Sequence, residues 1–138
     1  MHLNPIATVL ICEDDDIMMT ILHHQFKMLK INYIRKQDGK EGFEYLKANA
    51  KNPTIDLLIS DILMPEMTGL ELVAAVRNDL KLTFPILIIS AVERNSVSEE
   101  ALDLGADDFI AKPFRPDEIA LRIRRLLKKH YPERFATI

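Results

Sequence analysis

Three short apolar runs, Ala7–Cys12, Ile55–Ile59 and Pro85–Ile89, show almost no polar alternation and are rich in β-branched residues. Runs of this kind belong to strands buried on both faces, and such strands occur in parallel sheets whose crossover helices cover each side. Weaker runs at Ile31–Arg35 and Asp108–Ala111 supply two further strands. Between the runs the apolar residues fall at helical spacing. Met18, Leu22, Phe26 and Leu29 form a stripe that Ile17, Ile21 and Met28 widen. Phe43, Leu46 and Ala50 mark a second helix, Leu72, Val73, Val76 and Leu80 a third, and Ile119, Ile123, Leu126 and Leu127 the last. A helix over about Asn95–Leu104 opens with Ser96 and Glu99 spaced as a capping box, and Gly105 is placed to end it. Strand and helix alternate throughout, which predicts an α/β fold around a parallel sheet.

Length allows one domain: 138 residues can bury a core without disulfides, and Cys12 has no internal partner. The 48% apolar and 28% charged content excludes a disordered chain. No apolar run approaches the roughly 20 residues of a membrane span. A net charge of −3 makes no demand for nucleic acid or membrane as a partner. A reducing, cytoplasmic setting is the expectation.

In an open parallel sheet, ligands bind beyond the carboxyl ends of the strands. Glu13-Asp14-Asp15-Asp16 follow the first run, Ser60-Asp61 the third, Ser90 the fourth and Lys112-Pro113 the fifth. An acid or hydroxyl after a strand is often only a helix cap, and Asp15 or Asp16 fits that part. Their conjunction says more. Glu13, Asp14 and Asp61 bring three carboxylates to one rim, where Lys112 returns a single positive charge. Carboxylates this close resist joint ionisation unless a cation intervenes, and oxygen ligands with waters suit Mg²⁺. A carboxylate can attack phosphorus, and an ammonium, a hydroxyl and a metal can then share the charge of the phosphoryl oxygens. Asp61, Lys112 and Ser90 are the candidates for that chemistry.

The segments VLICEDD, DLLISDILMPEMTGLEL, PILIISA and GADDFIAKPF resemble, in order and spacing, the receiver domain of two-component response regulators. The likeness runs from Ile6 to His130 and leaves residues 131–138 as a short tail with no output domain. It implies a flavodoxin-like (βα)5 doubly wound sheet in the order 2-1-3-4-5. It further implies that Asp61 is the phospho-acceptor, and that Glu13, Asp14, Asp61 and the backbone carbonyl of Leu63 hold Mg²⁺. By the same resemblance Ser90 and Phe109 are switch residues, Lys112 is the catalytic lysine, and the Lys112–Pro113 bond is cis. A histidine kinase or histidine phosphotransfer protein is the expected donor. The face made by the fourth helix, fifth strand and fifth helix would meet a downstream protein or a second copy, with no direct nucleic-acid contact. Leu63 and Val92 offer no polar side chain to orient water, so slow hydrolysis is expected.

A competing reading starts from Asp14-Asp15-Asp16, which fits the opening of a haloacid-dehalogenase-like Mg²⁺-dependent phosphohydrolase with Asp14 as nucleophile. Against it, Met18 occupies a position where a small or β-branched residue belongs, and the LISDILMP segment would have no role. A nucleotide- or flavin-binding relative would need a glycine cradle after the first strand, where this chain has four acids.

Overall fold

The computed structural model describes residues 7–50, 54–91 and 94–137, with the side chains of 94–96 excepted. Ile6, Val92 and Ile138 lie outside them. Strand β1 (Thr8–Cys12) lies between the edge strand β2 (Asn32–Lys36) and the central strand β3 (Leu57–Ser60), with β4 (Ile86–Ser90) and β5 (Asp108–Ala111) beyond β3. All four pairings are parallel, giving the order β2-β1-β3-β4-β5. The predicted α/β class and strand order therefore hold, with the limits of β5 as expected and those of the other strands displaced by at most two residues.

Alternate residues of each strand face opposite layers. Val9, Ile11, Leu57, Ile59, Leu87, Ile89 and Ile110 meet α1 (Asp16–Met28) and α5 (Pro116–His130). Leu10, Cys12, Leu58, Ile86, Ile88 and Phe109 meet α2 (Gly39–Ala48), α3 (Gly69–Ala74) and α4 (Arg94–Leu104). After α3 the chain widens into a π-type turn at Ala75–Asp79 before β4.

Helix α1 corrects one expectation. Its inward side is Met19, Leu22, Gln25 and Phe26, whereas Ile17 and Met28 are strongly exposed and Ile21 lies at the margin. These three do not widen the core stripe. The proposed cap at Ser96 is also displaced, since α4 already begins at Arg94 and Ser96 falls within its first turn. Gly105 does end α4, at φ 118°, a conformation open to glycine.

Within the short tail after His130, Pro132–Phe135 makes a further turn of helix, α6, with Phe135 buried. Asp56 anchors it. Its carboxylate accepts from Arg134 Nη1 at 2.7 Å and from the Thr8 amide at 2.9 Å, while its carbonyl accepts from the Tyr131 hydroxyl at 2.8 Å. One aspartate thus ties the start of β1 and the start of β3 to the chain after α5.

Cys12 is fully buried, packed so closely that a Cβ on Gly42 would collide with its Sγ. Burial first, then the charges of Asp38 and Glu41, push its thiol up to about 12. Only the thiolate is a good nucleophile. Native protein at neutral pH is expected to resist Ellman's reagent, with one thiol appearing after denaturation. Native reactivity at the rate of a free thiol would contradict this packing.

Candidate functional site

Register brings the polar strand ends together. Cys12 pairs with Ser60 across β1 and β3, so Glu13 and Asp61 leave the sheet side by side, and the Asp61 amide donates to the Cys12 carbonyl at 3.1 Å. Ser90 pairs with Ala111 across β4 and β5, and the Lys112 amide donates to the Ser90 carbonyl at 2.8 Å. The Lys112–Pro113 peptide is cis. The Lys112 ammonium reaches back across the rim to Glu13 Oε1 at 3.0 Å and Asp61 Oδ2 at 2.9 Å.

The four consecutive acids have separate occupations. Glu13 is buried and also accepts from the Asp15 amide at 3.1 Å. Asp14 is exposed, and one of its oxygens lies within 4.8 Å of ligand atoms from Glu13 and Asp61. Asp15 is the N-cap of α1, accepting from the amides of Ile17 and Met18. Asp16 pairs with Arg35 at 2.9 Å.

Burial pushes the Glu13 carboxyl above its ordinary value, and neighbouring Asp61 adds to this against the opposing pull of the Asp15 amide and Lys112. Burial alone would lower the Lys112 ammonium, but its hydrogen bonds to Asp61 and Glu13 prevail and hold it above its ordinary value. Lys112 stays charged, and its contribution to stability is present below pH 10.5 and lost only as pH rises through its higher folded value.

Asp61 Oδ1 accepts from the Ile62 amide at 2.6 Å, which leaves Oδ2 towards Lys112. Ser90 is buried at the end of β4 beside this rim. Phe109 is already turned into the α2–α4 layer at 6% exposure. Leu63 is 61% exposed, so its side chain stands open over the rim in this conformation. The donors Glu13, Asp14 and Asp61 are all oxygens, and their charge exceeds that of Lys112, so the set suits a hard divalent cation. The Lys112 contacts go to Asp61 and Glu13, which gives no support to Asp14 as a nucleophile.

Two supporting residues had no place in the sequence-derived site. Gly69 opens α3 directly beneath Asp61, where an added Cβ would strike the Asp61 carbonyl oxygen and lie 2.9 Å from the Ile62 Cα. Its amide donates to the Ile62 carbonyl at 2.8 Å. Thr68 caps α3 in a reciprocal box with Glu71, at 3.1 and 2.9 Å. The signal available was the T-G-L-E string, which reads as a capping box placed soon after Asp61.

The chain matches the family model described as response regulator receiver domain over residues 9–124. It is 31% identical over 121 residues to the alkaline phosphatase synthesis transcriptional regulatory protein PhoP of Bacillus subtilis, covering 88% of this chain and 48% of that protein. It is 35% identical over 124 residues to the response regulator GtcR of Aneurinibacillus migulanus, covering 90% and 49%. The chain thus spans about half the length of these curated relatives. Among solved structures, the chemotaxis protein CheY4 of Vibrio cholerae superposes with TM-score 0.76 at 29% identity, over 89% of this chain and all (100%) of that one. A chain of the CheX–CheY–BeF3–Mg²⁺ complex of Borrelia burgdorferi does so with TM-score 0.79 at 27% identity, over 88% of this chain and 89% of that one.

Proposed function

Because the chain belongs to the response regulator receiver domain family of two-component signalling, we propose that Asp61 accepts a phosphoryl group and that the charge so gained switches the domain. The observation that carries this reading is the Lys112 ammonium bridging Glu13 and Asp61 at 3.0 and 2.9 Å, with Asp14 close by. Glu13, Asp14, Asp61 and the Leu63 carbonyl are the proposed holders of Mg²⁺. Bound there, Mg²⁺ supplies positive charge to the phosphoryl oxygens and relieves repulsion among the carboxylates. The solved Borrelia complex contains BeF3 and Mg²⁺, which supports a divalent cation in a domain of this fold.

The Ile62 amide fixes Asp61 Oδ1, so Oδ2 attacks phosphorus. The bond from phosphorus to the donor's nitrogen or oxygen breaks, and its electron pair leaves with the donor. Lys112 then follows the new negative charge from Oδ2 to a phosphoryl oxygen, and the Ser90 hydroxyl donates to another. One carboxylate charge becomes roughly two, which draws Lys112 and Ser90 inward. Phe109, already buried in the α2–α4 layer, answers this movement by repacking there, and with no hydroxyl it signals by shape alone. Hydrolysis returns the carboxylate, slowly, since Leu63 orients no water.

A histidine kinase or histidine phosphotransfer protein is the proposed donor, in a cytoplasmic setting. The exposed Ile17 and Ile21 on α1, with Leu63 on the adjoining loop, give such a donor an apolar landing beside the acids. Leu102 on α4 and Leu121 on α5, exposed at 47% and 44%, offer apolar contacts to a downstream protein or a second copy.

Ligands that bind only the folded state stabilise it by mass action. Millimolar Mg²⁺ is therefore expected to raise the melting temperature of the wild type by a few degrees, about 1–2 kcal/mol at concentrations several times Kd. The same salt should give a much smaller shift in Asp14→Asn. Equal shifts in both proteins, followed by circular dichroism, would remove Asp14 from the metal site.

A further inference from the structure

The acidic loop after β1 is gripped from the edge strand. Residues 33 and 35 of β2 face the α1 layer: Tyr33 packs on Phe26 with ring centroids 5.1 Å apart, and Arg35, two residues on, extends over the rim. Its Nε donates to the Glu13 backbone carbonyl at 3.0 Å. Its Nη2 lies 2.9 Å from Asp16 Oδ1, close enough to pair charges but off hydrogen-bond alignment, so that this buried nitrogen is compensated without being hydrogen-bonded. Asp16 is 86% exposed, so water screens that pair and the bond to Glu13 is the stronger hold. On the other side of Glu13, its amide donates to the Lys36 carbonyl at 3.1 Å. Both backbone groups of Glu13 are thus fixed by consecutive residues of β2. The carbonyl matters most, because it belongs to the peptide unit that leads into Asp14. Fixing its plane fixes the direction in which Asp14 leaves the loop.

We propose that Arg35 is a positioning residue for the metal site, holding Glu13 and Asp14 in register with Asp61 through the Glu13 carbonyl. The proposal rests on reading the acidic pocket as a Mg²⁺ site. Charge and geometry make opposite predictions here. A guanidinium beside an acidic pocket repels a dication, so by charge alone its removal strengthens Mg²⁺ binding. As a positioning group its removal weakens binding, and outer partners of metal ligands are commonly worth about 10–100-fold in affinity.

The test is calorimetric titration of unphosphorylated protein with magnesium chloride, in wild type, Arg35→Gln, Arg35→Lys, Asp16→Asn and Asp14→Asn. Arg35→Gln is expected to raise Kd about ten-fold. Arg35→Lys keeps the charge and one donor but loses the fork, and should fall between wild type and Arg35→Gln. Asp16→Asn spares the bond to Glu13 and should change Kd by less than about two-fold. A Kd for Arg35→Gln equal to or tighter than wild type overturns the proposal. If that variant fails to fold, Arg35→Lys decides: wild-type affinity overturns the proposal, and a weaker one sustains it. Failure of the pocket reading has a different signature, in which wild type binds no Mg²⁺ or Asp14→Asn binds as tightly as wild type, and the Arg35 proposal then falls with it.

Discussion

Asp61→Asn is expected to abolish the single phosphoryl group that wild-type protein gains from acetyl phosphate and Mg²⁺. An amide oxygen is a poor nucleophile, yet asparagine keeps the carbonyl oxygen that accepts from the Ile62 amide at 2.6 Å. The local turn therefore survives, and removing one of three crowded carboxylates eases the repulsion that Asp61 exerts on Glu13. Loss of labelling with an unchanged circular dichroism spectrum separates chemistry from folding. Intact mass of both proteins before and after treatment is the check. Labelling that persists in a folded Asp61→Asn protein would assign the acceptor elsewhere.

Gly69→Ala is the second large effect. The new methyl would strike the Asp61 carbonyl oxygen on one side and press on the Ile62 Cα, 2.9 Å away, on the other. Both obstacles are backbone, so no side chain can rotate aside. Overpacking of this kind costs about 1–3 kcal/mol. The strain falls on the residue that carries the acceptor, and displacements near 1 Å can cost about a hundred-fold in rate. The variant is expected to unfold at lower urea concentration and to take up phosphoryl groups at least about ten-fold more slowly. A comparison of urea midpoints and labelling rates decides it; wild-type values for both would mean that the loop has room the structure does not show.

The sheet was legible because burial on both faces leaves a plain signature, a run of apolar residues with no alternation. The rim was legible for a related reason. Once five parallel strands are placed, their carboxyl ends must share an edge, and the polar residues there select themselves. Apolar spacing says less about which side of a helix is covered. Ile17, Ile21 and Met28 continue the stripe of α1 in periodicity, but Ile17 and Met28 are strongly exposed and Ile21 lies at the margin. Ser96 and Glu99 show how readily a short capping pattern arises inside a helix that has already begun at Arg94. Arg35, Gly69 and Asp56 were hidden for another reason. Each acts largely through backbone atoms distant in sequence, namely the Glu13 carbonyl, the Asp61 carbonyl, and the Thr8 amide with its own carbonyl towards Tyr131. Contacts to backbone leave no trace in residue type at the other end. Thr68 differs from these, since its cap reaches only to Glu71 and the T-G-L-E string carries the signal.

The most direct trial of Asp61 as acceptor is chemical trapping. Borohydride reduces an acyl phosphate to the alcohol, converting a phosphorylated aspartate to homoserine, which peptide mass spectrometry can locate. After acetyl phosphate and Mg²⁺, homoserine is predicted at position 61, with Asp14 unmodified. Homoserine at position 14, or its absence from 61 in protein that has gained a phosphoryl group, would contradict the assignment.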